Sequence, residues 1–270
     1  MKKRTGRSSL AAAILLAAGA LVMTDCGGGD GGDAATPQQG AARGEAQPQA
    51  QTAAVEPLGT ASVRGTVLYE GEVPNLPAVQ MTADPACAAQ HDEPVKSQVL
   101  ELGEGKTLGN VFVHVVSGLP ERQWPTPSEP AIIDQEGCLY KPHVIGVLAG
   151  QPVKFLNSDG ILHNVHALPD VNREFNIAMP AERKEAVETF QQPEDMFQIK
   201  CDVHPWMSAY VRVMEHPYFD TTGPDGSFEI SGLPAGTFEL EAWHERLGTR
   251  TLTVTVGEGE VETVEITLAR

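Results

Sequence analysis

Beyond residue 60 the chain alternates apolar and polar side chains with a period of two, the pattern of strands that bury one face, and it shows almost no helical period. Val63, Gly65, Val67 and Tyr69 make the first alternating run, which Gly71 and Pro74 end. Residues 111–116 (VFVHVV) are β-branched and aromatic and stop at Ser117-Gly118, and a proline-rich loop follows over 120–130. Apolar runs at 144–148 and 153–156 predict two more strands, and Asn157-Ser158-Asp159-Gly160 predicts a turn after them. Residues 167–185 read as a long connection. Strands are expected again at 186–190, 197–201 and 209–213, so the stretch that starts at Cys201 joins two strands.

Near Tyr218 the character shifts. Asp225-Gly226 and Leu233-Pro234-Ala235-Gly236 are turns, and alternating runs centre on Phe228 and Ile230, on Phe238 to Ala242, on Leu252 to Val256, and on Val264 to Leu268. Strands recurring every ten to twelve residues, roughly, predict a small antiparallel sandwich. About 54 residues are few for an independent core, so this sandwich is expected to lean on the preceding region or to borrow a strand from it.

The N-terminus reads differently. Lys2, Lys3, Arg4 and Arg7 precede an apolar run of 14 residues at 10–23, too short to span a bilayer and the right length for the core of a signal peptide. Cys26 and a glycine-rich run follow, resembling the lipidated cysteine of a bacterial lipoprotein, with Asp25 as a departure from the small residue usual there. Lipidation of Cys26 would make a lipid anchor the protein's only membrane contact; simple secretion is the plainer alternative. Residues 26–60, rich in Gly, Ala, Gln and Pro, are expected to be a disordered tether.

Charge narrows the partners. The formal charge is −17, and residues 1–25 hold four of the 19 basic and one of the 36 acidic residues, leaving 15 against 35, or −20, for the rest. Such a surface argues against nucleic acid and suits a basic redox partner steered by charge, although an ordinary solubilised surface explains it too. Apart from Cys26 and Cys201, the cysteines are Cys87 and Cys138, which in an oxidising compartment are expected to pair. A second metal site built with His91 or His143 is the weaker alternative.

The chemistry concentrates at Cys201-Asp-Val-His204-Pro-Trp-Met207. A thiolate, an imidazole and a thioether on one short loop supply most of a mononuclear copper site, because soft sulfur ligands select copper and a long axial Met marks an electron-transfer centre. The missing second imidazole is offered by His163-Asn164-Val165-His166, and the residues alone leave His163 and His166 both open. Cys-x-x-His by itself is common and often zinc-related; the added Met and the upstream His-Asn make the set specific. His91, His114, His143, His216 and His244 read as packing or surface residues.

Over residues 140–214 the chain resembles the amicyanin branch of the cupredoxin family, whose ligand loop is Cys-x-x-His-Pro-aromatic-Met and whose remote ligand is the first histidine of His-Asn-Val-His. The resemblance implies a Greek-key β-sandwich with one type 1 copper held by His163, Cys201, His204 and Met207. It makes Asn164 the residue that ties the two ligand loops together and leaves His166 a non-ligand. Trp206 stands where the family has Phe, and the 167–185 and 75–138 stretches depart from it. Residues 222–238 resemble the carboxypeptidase regulatory-like, or transthyretin-like, sandwich, a noncatalytic module also found in rhamnogalacturonan lyases. Gly65-Thr66-Val67 fits such a module's first strand, which suggests a discontinuous sandwich with the copper domain inserted.

The expected architecture is therefore all-β: a leader at 1–25, the tether at 26–60, an N-terminal β region at 61–139 able to share strands with the C-terminal sandwich, a copper-binding region at 140–215, and a regulatory-like sandwich at 216–270. The expected function is that of an exported, periplasmic or cell-envelope one-electron carrier, with a cytochrome or dehydrogenase as partner and electrons crossing at an exposed His204 edge. No catalytic residue and no enzyme activity are expected, since a nitrite-reductase-like second copper centre calls for His-x-His pairs. A copper-handling or surface-binding role, docking through the C-terminal sandwich, is the alternative.

Overall fold

The computed structural model describes residues 56–270. The expected leader, most of the tether and Cys26 lie outside the described residues. In chain order the strands are β1 (Ala61–Glu70), β2 (Phe112–Ser117), β3 (Ala131–Gln135), β4 (Tyr140–Lys141), β5 (Val144–Leu148), β6 (Pro152–Asn157), β7 (His163–Leu168) and β8 (Phe175–Met179). They continue with β9 (Glu185–Thr189), β10 (Glu194–Lys200), β11 (Ser208–Met214), β12 (Phe219–Thr221), β13 (Ser227–Leu233), β14 (Gly236–His244), β15 (Gly248–Val256) and β16 (Val261–Ala269). One short α-helix, α1 (Pro85–Ala88), and two 3-10 turns, Gln98–Leu100 and Glu104–Lys106, stand between β1 and β2. No helix among the described residues is long and apolar enough to cross a membrane.

The expected all-β architecture of two sandwiches holds. The first packs sheet β5-β11-β10-β7-β8 on sheet β4-β3-β6-β9 around a core that includes Tyr140, Phe155, Val165, Phe190, Ile199 and Val211. The second packs β13-β1-β16 on β12-β2-β14-β15 around Val63, Val67, Phe228, Phe238, Leu240 and Ile266. Inward and outward residues alternate along β1 and β14, as the sequence pattern requires.

Several strands fall differently from the sequence reading. β1 lies antiparallel to β13 but parallel to β16, so the second sandwich is mixed rather than antiparallel. β2 sits between β12 and β14 in its other sheet. The second sandwich is thus assembled from both sides of the stretch that builds the first. β3 runs parallel to β6 in the first sandwich, which therefore begins before residue 140. The 167–185 connection contains β8, paired along β7, because Phe175 and Met179 supply buried positions at its two ends.

The two sandwiches meet over a small apolar cluster of Phe112, Val144, Leu148 and Met214, with Phe219, Tyr210 and Trp243 against it. Gly146 on β5 makes the contact close. A Cβ there would stand 2.5 Å from ring carbons of both Phe112 and Phe219. Polar ties frame the apolar contact: Glu245 accepts from Tyr210 Oη and pairs with His143, while Arg212 pairs with Glu241.

Candidate metal centre

The loop between β10 and β11 is folded by its own backbone. Cys201 N donates to Met207 O at 3.1 Å, Met207 N donates to His204 O at 2.9 Å, and His204 N points at Cys201 Sγ at 3.4 Å. β7 pairs with β10 up to Lys200↔His166, which brings the start of β7 beside the loop. The His-Asn-Val-His motif is thus on a strand rather than on the loop expected for it. Asn164 makes the join: its Oδ1 accepts from Asp202 N at 2.7 Å and Val203 N at 3.3 Å, and lies 3.3 Å from Cys201 Sγ. Asn164 Nδ2 donates to Asn176 Oδ1, whose own amide donates to Asp202. The Tyr140 hydroxyl closes the arrangement by donating to Asn164 O.

These elements bring His163, Cys201 and His204 together, all buried, with one donor atom from each lying within 4.8 Å of the others. His163 Nδ1 is 2.9 Å from His204 Nδ1, and His204 Nδ1 is 3.8 Å from Cys201 Sγ. Both imidazoles therefore turn Nδ1 toward one point. Their outer nitrogens are held by carboxylates: His163 Nε2 by Asp159 at 2.8 Å and His204 Nε2 by Asp84 at 3.0 Å. A carboxylate behind an imidazole fixes the ring and raises the basicity of the inward nitrogen, the usual support of a ligating histidine.

Electrostatics agree with this geometry. Burial disfavours a charged His163, but the hydrogen bond to Asp159, followed by that to Cys201, outweighs it and pushes its pKa up to about 9. Burial likewise opposes ionisation of Cys201, yet His163 and then the backbone N–H groups of Asn164, His204 and Val203 bring the thiol below its ordinary value. Asp84 is lowered chiefly by its hydrogen bond with His204. For Asp159, burial is outweighed by His163 and by the N–H groups of Cys138 and Gly137.

The remaining predicted residues sort clearly. Met207 is fully buried at the end of the loop, held to Cys201 and His204 by its backbone. His166 is not brought to the cluster; it pairs with Asp202 and Glu174 at the surface. Cys87 and Cys138 form a disulfide, so neither thiol is free for a second metal with His91 or His143. His204 departs from expectation, being only 2% exposed with its outer edge closed by Asp84. Asp84, Asp159, Asn176 and Tyr140 were missed from sequence. Asp159 alone had a local signal, four residues before His163 in the predicted turn.

No family profile matches the chain, and no curated protein matches it. Among solved structures, it is similar to a copper-containing nitrite reductase from Thermus scotoductus SA-01, at 20% identity and TM-score 0.30, covering 37% of this chain and 26% of that one. It is similar to an amicyanin mutant in the oxidized state at 23% identity and TM-score 0.29, covering 32% of this chain and 82% of that one. A purple cupredoxin from Nitrosopumilus maritimus follows at 20% identity and TM-score 0.27, covering 31% and 99%. The chain thus spans about a quarter of the nitrite reductase. The expectation that this protein is not an enzyme does not stand, since an enzyme is among the proteins it resembles.

Proposed function

We propose that this protein exchanges single electrons through one type 1 copper held by His163, Cys201 and His204, with Met207 as the axial thioether. The observation that carries the reading is the convergence of two imidazole Nδ1 atoms and one thiol on a single buried point. The donor set fits copper: two imidazoles and a soft thiolate, with a buried methionine on the same loop. Copper bound there would supply a one-electron couple.

The chain's own residues do the rest. Asp159 and Asp84 keep both Nδ1 atoms facing inward. The backbone N–H groups of Asn164 and of the loop point at the Cys201 sulfur and stabilise its thiolate. A ligand set positioned on paired strands would change little between oxidation states.

The reading extends to setting. Export to the periplasm or cell envelope agrees with the Cys87–Cys138 disulfide, with lipidation at Cys26 as the proposed anchor. A basic cytochrome or dehydrogenase suits the −20 balance after residue 25. We assign the second sandwich to the noncatalytic regulatory-like class. Because Asp84 closes the His204 edge, a copper-holding role is the second reading.

Titrating purified protein with Cu(II) tests the proposal. Intense blue thiolate-to-copper absorption with narrow copper hyperfine splitting is expected, and Cys201→Ser should abolish both. Colourless protein that binds zinc equally well would sink it. Fast reversible reduction by a cytochrome separates carrier from store.

A further inference from the structure

Asp84 holds the outer edge of His204, but it comes from a segment remote in sequence and outside the sheets that build the centre. It is the N-cap of α1, where one carboxylate oxygen accepts from Ala86 N at 2.9 Å and Cys87 N at 3.4 Å, while the other takes His204 Nε2. The cap therefore fixes the carboxylate and aims its free oxygen outward. Three residues on, Cys87 is bonded to Cys138 in the β3–β4 turn. The N–H groups of Gly137 and Cys138 in that turn donate to the two oxygens of Asp159, at 2.6 and 2.8 Å. One covalent link thus joins the supports of both imidazoles.

The two sides differ in depth. The Asp159 side chain is 1% exposed and belongs to the body of the sandwich, whereas that of Asp84 is 33% exposed on a segment that forms no strand. Besides the disulfide, residues 81–91 are held by Met81, which enters the core, by Gln90, whose Nε2 lies 3.9 Å from Cys138 Sγ, and by His91, whose Nε2 meets Gly137 O at 2.8 Å. The His91 tie lands on the same turn as the disulfide, so the attachments near α1 gather at residues 137 and 138.

We propose that residues 81–91 form a lid over the metal centre, latched to the β3–β4 turn by Cys87–Cys138, and that Asp84 is the positioning residue through which this lid holds His204. With the lid closed, the outer nitrogen of His204 meets a carboxylate instead of solvent or a partner. With it open, His204 alone is released, because His163 keeps Asp159. His204 is therefore the ligand by which metal enters and leaves. This last step rests on the copper reading; the closure of His204 does not.

The test uses metal-free protein, so its failure is distinct from failure to bind copper. Histidines are carbethoxylated with diethyl pyrocarbonate at one pH and scored peptide by peptide. In the unaltered protein His204 and His163 should react slowly and His166 readily. Asp84→Ala should speed labelling of His204 by about tenfold or more, as expected when a local closure is lost, with His163 still protected. Asp84→Asn, whose one oxygen keeps the cap while its amide N–H can donate to Nε2 of a neutral His204, should restore slow labelling.

The Cys87→Ser/Cys138→Ser variant should label His204 as Asp84→Ala does; Asp84→Ala retains the disulfide and tests the lid if the double variant fails to fold. Equal labelling of His204 in Asp84→Ala and unaltered protein, both with native circular dichroism, would overturn the proposal. So would joint exposure of His163 and His204 in Asp84→Ala, which would mean a general loosening instead of a released ligand.

Discussion

Asn164 Oδ1 accepts the backbone N–H of Asp202 at 2.7 Å, so a side chain on β7 supplies the acceptor that the ligand loop lacks once β10 has ended. The same oxygen serves Val203 N and faces the Cys201 sulfur. Asn164→Leu keeps the size but leaves those loop N–H groups without their acceptor. The expected loss is about 1–3 kcal/mol, read by urea denaturation of the metal-free protein. A loss below about 0.5 kcal/mol, the scatter of an ordinary surface change, would mean the loop holds its shape without this tie.

His163 and His166 lie on one strand but do different things. His163 is fully buried with Nδ1 at the cluster, while His166 bonds Asp202 and Glu174 at the surface. His166→Ala should leave the blue absorption intact and cost under about 1 kcal/mol, since exposed ion pairs contribute little. His163→Ala should abolish the colour. A bleached His166→Ala protein would reverse the ligand assignment.

Much of this was legible in the residues, for a physical reason. Period-two alternation marks strands directly, and the loop from Cys201 to Met207 carries its donors at fixed spacing, so both the strands and three site residues could be read locally. What could not be read locally depends on pairing across the chain. The parallel match of β1 with β16 and the seating of β2 beside β14 rest on long-range packing. Asp84 lies 120 residues from His204, and nothing around it signals a histidine partner. The loop position of His204 predicts an exposed edge, and here Asp84 closes it.

Gly146 sets how near the two sandwiches approach. Its missing Cβ leaves the space that Phe112 and Phe219 fill from the other side. Gly146→Val would push the buried ring of Phe112 and the half-buried ring of Phe219 away, and overpacking of this kind costs about 1–3 kcal/mol. Thermal denaturation should show the drop, and Phe219→Ala in the same chain should recover part of it by making room. If Gly146→Val unfolds at the temperature of the unaltered protein, the contact between sandwiches is looser than the ring distances imply.

Two buried histidines at this junction contribute to the response to acid. Burial is the main cause that brings His114 down to about 3 and His244 down to about 4, and His114 Nδ1 and His244 Nε2 have no hydrogen-bond partner. In the unfolded chain both take up protons near pH 6.5. Between pH 6.5 and about 4 the unfolded state therefore binds more protons than the folded one. The stabilisation is complete above pH 6.5 and falls as the pH is lowered, by up to about 1.4 kcal/mol per pH unit for each histidine. His163, raised to about 9, changes stability only above pH 6.5 and stays outside this window. Glu101 and Asp220, both raised by burial, act in the opposite sense, so the histidine contribution between pH 6.5 and about 4 is read as the difference between the unaltered protein and a variant lacking both histidines. Urea denaturation of metal-free protein across that range should show stability falling with pH. His114→Gln/His244→Gln should reduce the slope, because neither amide titrates, and leave the share of buried His216, which burial also lowers. Equal slopes in the two proteins would refute the assignment.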